Sequence, residues 1–138
     1  MTKDLWINLP VKDVKKSKEF FTKLGFSFDL KYGNTEHSAG MVVGSKKIVF
    51  MLFTESMFKG FINNNLTDAR QSNEVLFSFD AESRAEVDEM AKKVEAAGGT
   101  LYAKPTENQG WMYGFAFIDP DGHRWNMLHM DMSKMPKG

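Results

Sequence analysis

The chain has 138 residues, close to the common size of one domain, and 42% of them are apolar, enough to bury a core without outside help. It contains no cysteine, which excludes disulfide frameworks, thiolate zinc sites and thiol nucleophiles. Eighteen basic and eighteen acidic side chains cancel, which argues against a nucleic-acid partner, because phosphate neutralisation supplies most of such a partner's affinity.

The first element reads as a strand, Leu5 to Val11, with Leu5, Ile7, Leu9 and Val11 on one face and Trp6, Asn8 and Pro10 on the other. Asp13 is a good helix N-cap, and Val14, Ser17, Phe20, Phe21 and Leu24 form the inner stripe of the helix that follows. Lys15, Lys16 and Lys18 fall on its solvated side, and Gly25 stops it. Phe26 to Tyr32 reads as a strand turning at Gly33-Asn34, Ala39 to Val43 as the next, and Lys47 to Phe53 as a nearly continuous apolar strand. Thr54 to Ser72 reads as a connection, with a short apolar piece around Met57, Phe58, Phe61 and Ile62.

The order then repeats. Glu74 to Phe79 reads as a strand with Val75, Phe77 and Phe79 on one face, and Ser83 with Glu86 forms a capping box. The helix behind it carries Val87, Met90, Ala91, Val94 and Ala97 and ends at Gly98-Gly99. Strands are predicted at Thr100 to Ala103, Trp111 to Ile118 and Arg124 to Met130. Val11 corresponds to Phe79 and Gly25 to Gly98, offsets of 68 and 73 residues, each near half the chain. The sequence therefore predicts an α+β fold of two βαβββ modules: module 1 about 1–55, a connection 56–72 and module 2 about 73–132.

Each helix can cover only one face of its module's sheet. Two curved mixed sheets would then enclose a cleft lined by the remaining faces, with Trp6 and Asn8 from one half and Glu74, Leu76 and Ser78 from the other. Ten methionines and eighteen aromatic residues suit such an adaptable, apolar space. The polar stretch Lys104 to Trp111 reads as a loop able to close over it, with Trp111, Met112 and Tyr113 as its contact surface, or as packing at an interface.

The opening pattern Leu9-Pro-Val-Lys-Asp13, Ser17, Phe20, Phe21, Leu24-Gly25-Phe26, and the closing stretch Phe115 to Leu128 around Asp119-Pro-Asp-Gly122, resemble the glyoxalase/bleomycin-resistance/dioxygenase (vicinal oxygen chelate) superfamily. The similarity is greatest to its lactoylglutathione lyase-like bacterial group. It implies the paired-module fold, a small-molecule ligand and a homodimer. Metal-binding members of that superfamily hold a divalent ion with four side chains, and the resemblance places those positions on Trp6, Met51, Glu74 and Asn126. An indole offers a cation no lone pair, and a thioether is too soft for magnesium, manganese or nickel. No metal cofactor is therefore expected; a divalent metal is the alternative. Glu74 could act as a general base only if the cleft desolvated it, and it reads more simply as an exposed strand-start residue.

The three histidines carry no metal-ligand spacing. His37 begins a strand, His123 follows a turn, and His129 lies on the face opposite Asn126. Asp119-Pro-Asp-Gly fails as a calcium loop, since an EF-hand needs its glycine sixth and its glutamate twelfth. It is turn chemistry. With no N-terminal apolar run on a basic flank and no stretch long enough to span a bilayer, the expected location is cytoplasmic and no membrane partner is expected. The expected function is small-molecule binding, with sequestration of an antibiotic or metabolite as one form of it, in a cleft of Trp6, Asn8, Met51, Glu74, Trp111, Tyr113 and Asn126. The alternative is a metal-dependent lactoylglutathione lyase-like or dioxygenase-like enzyme.

Overall fold

The computed structural model describes residues 1–136, and the chain divides into two compact units that meet between Ala69 and Arg70. The first unit contains β1 (Trp6–Val11), α1 (Val14–Leu24), β2 (Ser27–Phe28), β3 (Ser38–Val43), β4 (Ile48–Thr54) and α2 (Glu55–Ile62). The second contains β5 (Leu76–Asp80), α3 (Arg84–Ala96), β6 (Thr100–Asn108), β7 (Met112–Ile118) and β8 (Arg124–Met130). Short 3-10 turns lie at Leu30–Tyr32 and Met132–Lys134.

The two sheets have the same permutation. Strand order is β1-β4-β3-β2 in one and β5-β8-β7-β6 in the other, with the first pair parallel and the other neighbours antiparallel. A shared permutation around one helix each is the βαβββ module twice over, and the fold is α+β. Among the described residues, no helix is long and apolar enough to cross a membrane.

Local chemistry starts and stops the helices as the sequence predicts. Asp13 accepts the Lys16 N–H at 3.1 Å, and Gly25, at φ 102°, ends α1 while the Phe26 N–H reaches the Phe21 carbonyl at 3.0 Å. Ser83 accepts the Glu86 N–H at 3.1 Å, and the Glu86 carboxylate returns to the Glu82 N–H at 2.8 Å, one residue earlier than the usual box. Val14, Ser17, Phe20, Phe21 and Leu24 of α1 are buried, as are Val87, Ala91 and Val94 of α3. They meet Leu9, Val11, Ala39, Met41, Phe50 and Leu52 in the first unit, and Phe115, Phe117, Trp125 and Met127 in the second.

Three expectations are corrected, and one segment is more structured than its pattern indicated. Phe26 to Tyr32 is not one strand: Asp29 accepts the Lys31 N–H at 3.0 Å and starts a 3-10 turn, so β2 is cut to two residues. The predicted connection holds helix α2, ended by Asn63 in the left-handed conformation at φ 50°, and the ring of Phe61 packs edge-on to Phe53 at 5.0 Å. Glu74 lies outside β5, which begins at Leu76. Lys104 to Asn108 is not a lid but the second half of β6, with Thr106, Glu107 and Asn108 paired to Gly114, Tyr113 and Met112. Gln109 and Gly110, at φ 56° and 78°, close a tight hairpin there. Pro105 is tolerated because β6 is an edge strand with two register shifts.

Candidate functional site

The face of the first sheet turned away from α1 is fixed by register. Trp6 pairs with Val49, Asn8 with Met51 and Pro10 with Phe53, while Gly40 and Val42 of β3 oppose Met51 and Val49. A cavity of about 420 Å³ lies on this face, lined by Asp4, Leu5, Trp6, Tyr32, Lys47, Val49, Met51 and Phe53. A larger and more open hollow of about 810 Å³ wraps Gly25 to Tyr32 and shares Tyr32, Lys47 and Val49 with it. The smaller one is the better site: it is more enclosed, and three aromatic rings and a thioether make its wall.

Each lining residue has a local cause. Met51 forms the floor and is only 9% exposed, because a central strand carries it. Tyr32 is delivered by the 3-10 turn after Asp29, and Gly40 leaves it room: a Cβ there would collide with Tyr32 and stand 3.2 Å from the Met51 sulfur. Lys47 sits at φ 55° in the turn that begins with Gly44. Phe53 is braced by Phe61 of α2. Trp6, on edge strand β1, remains 58% exposed, and Leu5 beside it 71%. So much aromatic and aliphatic surface left in water around a cavity marks a place built for contact.

In the second unit the face turned away from α3 carries Asn126, whose register partners are Ser78 and Ala116. The Asn126 Oδ1 is buried and, among the described residues, accepts no hydrogen bond. Tyr113, expected among the cleft residues, is on the other face of this sheet. Its hydroxyl donates to Asp88 of α3 at 2.7 Å, and the Arg84 guanidinium, itself paired with Glu107, lies 4.8 Å over its ring. Trp111 lies in the turn before β7; its carbonyl accepts the Asp131 N–H at 2.8 Å, and its buried indole N–H has no acceptor among the described residues. Glu74 is exposed, so the desolvation a general base would need is missing.

The Asp88 hydrogen bond raises the Tyr113 phenol above its ordinary value of 10.0, and the Arg84 pair lowers Glu107. A phenol whose folded pKa is raised supports the fold while it is neutral, so that support is lost as pH climbs past 10.0. Subtracting the 295 nm titration of Tyr113→Phe from that of the unmodified chain isolates this group. Its midpoint should lie above 10.0 and return towards it in Asp88→Ala.

The remaining polar candidates are structural. His37 is exposed beside the Glu36 carboxylate at 3.3 Å, and the His129 Nδ1 meets the Ala81 carbonyl at 3.1 Å on the helix side of the sheet. Asp119, 6% exposed, accepts the N–H groups of Asp121 and His123 and the Trp125 indole N–H, bracing the β7–β8 hairpin. Among the described residues no group of three His, Cys, Asp or Glu side chains is placed to hold a metal ion. Sequence reasoning missed Tyr32, Val49, Phe53 and Leu5 as lining residues. The two-residue period from Met51 would have found Val49 and Phe53, and a glycine in mid-strand at position 40 pointed to close packing over β3.

Residues 5–127 match the family model described as Glyoxalase/Bleomycin resistance protein/Dioxygenase superfamily. A hypothetical protein from S. aureus of solved structure is 33% identical, with 94% of each chain covered and a TM-score of 0.82. A lactoylglutathione lyase from Agrobacterium tumefaciens is 17% identical over 94% of each chain, with a TM-score of 0.68. A genomically encoded fosfomycin resistance protein from Listeria monocytogenes, solved with Mn(II) and sulfate, is 16% identical over 97% of this chain and 94% of its own, with a TM-score of 0.70. The last two likenesses are of fold. No curated protein sequence matches the chain.

Proposed function

This chain belongs to the Glyoxalase/Bleomycin resistance protein/Dioxygenase superfamily, and from that membership we propose that it binds a small organic molecule without a metal ion and acts as a homodimer. The observation that carries the reading is the aromatic cavity of the first unit, with Trp6 exposed at its wall and Met51 buried at its floor. About 420 Å³ is the size of site that encloses a drug-sized molecule. Trp6, Tyr32 and Phe53 offer ring faces, Met51 a deformable thioether, and Asp4 and Lys47 are the charges available to orient a polar end. Sequestration needs nothing further, since the ligand is held by desolvation of surface that is wet in the free protein.

The residues present do not fit a catalytic divalent metal. Of the four positions implied by the family, Trp6 has no donor lone pair, the Met51 thioether suits only soft ions, and Glu74 lies in an exposed connection. Asn126 alone brings a neutral oxygen, too little for a hard cation.

The test is a thermal-shift screen of EDTA-treated protein against apolar metabolites and antibiotics. A ligand at a hundred times its Kd should add about 2.7 kcal/mol of stability without metal. Parallel samples receive nickel, manganese or zinc. Stoichiometric, EDTA-removable metal that supports turnover of a hemithioacetal would overturn the metal-free reading and favour a lyase-like enzyme. Light scattering reads the dimer directly: a monomer mass at micromolar concentration removes that part of the proposal.

A further inference from the structure

The second unit holds a stacked guanidinium with an unmet donor. Arg124 begins β8, opposite Leu76 and Ile118, on the face that also carries Asn126. Its head lies 4.5 Å over the ring of Tyr102, which fixes where the fork sits. Its Nε–H is nonetheless buried and, among the described residues, finds no hydrogen-bond acceptor. The unit's two other arginines are engaged: Arg70 donates to the Pro120 carbonyl at 3.2 Å, and Arg84, which also stacks on a tyrosine, is paired with Glu107. A buried, unpaired N–H beside a fixed positive charge is costly unless a partner arrives from outside. Two residues along, the Asn126 Oδ1 is a buried acceptor without a donor. One unmet donor, the Arg124 Nε–H, and one unmet acceptor thus stand on the same strand face, on residues whose backbones are about 7 Å apart along the strand.

We propose that Arg124 and Asn126 form a recognition site for a small organic acid that also carries a hydroxyl group. The carboxylate accepts the Arg124 Nε–H and Nη–H as a bidentate pair, and the hydroxyl donates to the Asn126 Oδ1. The pairing is polar and directional, so it discriminates among organic acids by whether they carry the hydroxyl. It uses residues of the second unit alone and does not depend on what fills that cavity.

The chain has three arginines, so the Arg124 Nε–Hε signal is assignable in a nitrogen–proton correlation spectrum by its loss in Arg124→Lys. The probes are 4-hydroxybenzoate, which has both groups, benzoate, which has only the carboxylate, and phenol, which has only the hydroxyl. Millimolar 4-hydroxybenzoate should move the Arg124 signal saturably and leave that of ion-paired Arg84 in place. Benzoate should bind roughly tenfold more weakly and phenol not measurably. Asn126→Ala should cost 4-hydroxybenzoate about that same tenfold and leave benzoate unchanged. Arg124→Gln should abolish both responses with an unfolding midpoint equal to or above the unmodified chain's, because it removes an unmet donor. The proposal falls if no acid moves the Arg124 signal. It also falls if Arg124→Gln keeps the binding or lowers the midpoint with no effect on it, which would make the tyrosine stack merely structural.

Discussion

Replacing Trp6 with alanine should weaken the best ligand from the metal-free screen by roughly 30-fold, about 2 kcal/mol, and leave the unliganded protein's stability almost unchanged. The separation follows from exposure. Trp6 is 58% exposed on an edge strand, so its removal opens no cavity in the core. In the complex the same ring would be covered, and burying an indole against an apolar ligand contributes more than any other single side chain can. Met51 is the contrasting case. It is 9% exposed under the same cavity, so Met51→Ala should lower ligand affinity and also cost about 2 to 3 kcal/mol of folding stability. Calorimetric titration beside denaturant unfolding distinguishes the two. Equal affinities for Trp6→Ala and the unmodified chain would mean that the cavity beside β1 is not where the ligand sits.

Much of the fold was legible in the sequence because its causes are local. Asp13 and Gly25 bracket α1, Ser83 and Glu86 start α3, and the two-residue period put Leu9 and Val11 in the core and Trp6 and Asn8 opposite. The misread segments are those where a side chain competes with the strand. Asp29 captures the Lys31 N–H and turns the chain, and no apolar pattern reports that. Met57, Phe58, Phe61 and Ile62 do have helical spacing, but over eight residues, too few for periodicity to outweigh the polar run that follows. In β6, Pro105 reads as a loop signal until the edge position and register shifts are known. The site was legible where alternation alone decides, as for Trp6 and Met51. Tyr113 was misplaced because its distance from Asn126 in sequence says nothing about facing; the β7–β8 register sets that, pairing Tyr113 with His129 and Ala116 with Asn126. Arg124 and Tyr102 were missed because an unmet N–H on a stacked guanidinium is visible only once the partners of its neighbours are placed.

The closing motif Asp119-Pro-Asp-Gly should prove a structural requirement, with Asp119→Ala losing about 3 to 4 kcal/mol of stability in chemical denaturation. One buried carboxylate satisfies three donors: the Asp121 N–H at 2.9 Å, the His123 N–H at 3.0 Å and the Trp125 indole at 3.1 Å. Trp125 in turn is stacked with Phe117 at 6.3 Å and tilted against Phe77 at 4.9 Å, so freeing its indole loosens the core that holds β8 in register. Asp119→Asn keeps the shape but turns an amide donor towards one of those donors, and it should lose about half as much. The pH dependence carries the same assignment with an unusual sign. Burial pushes the Asp119 carboxyl above its ordinary 3.8, and the neighbouring His123 and the Trp125 donor pull it back only in part. An acid whose folded pKa is raised binds its proton more tightly in the folded state, so stability from this group falls as pH rises from 3.8 through the folded value and is flat above it. The stability gap between the unmodified chain and Asp119→Asn should therefore be widest in acid and narrow towards neutral pH. A gap that widens instead as pH rises would mean that the three donors, and not burial, govern the carboxylate.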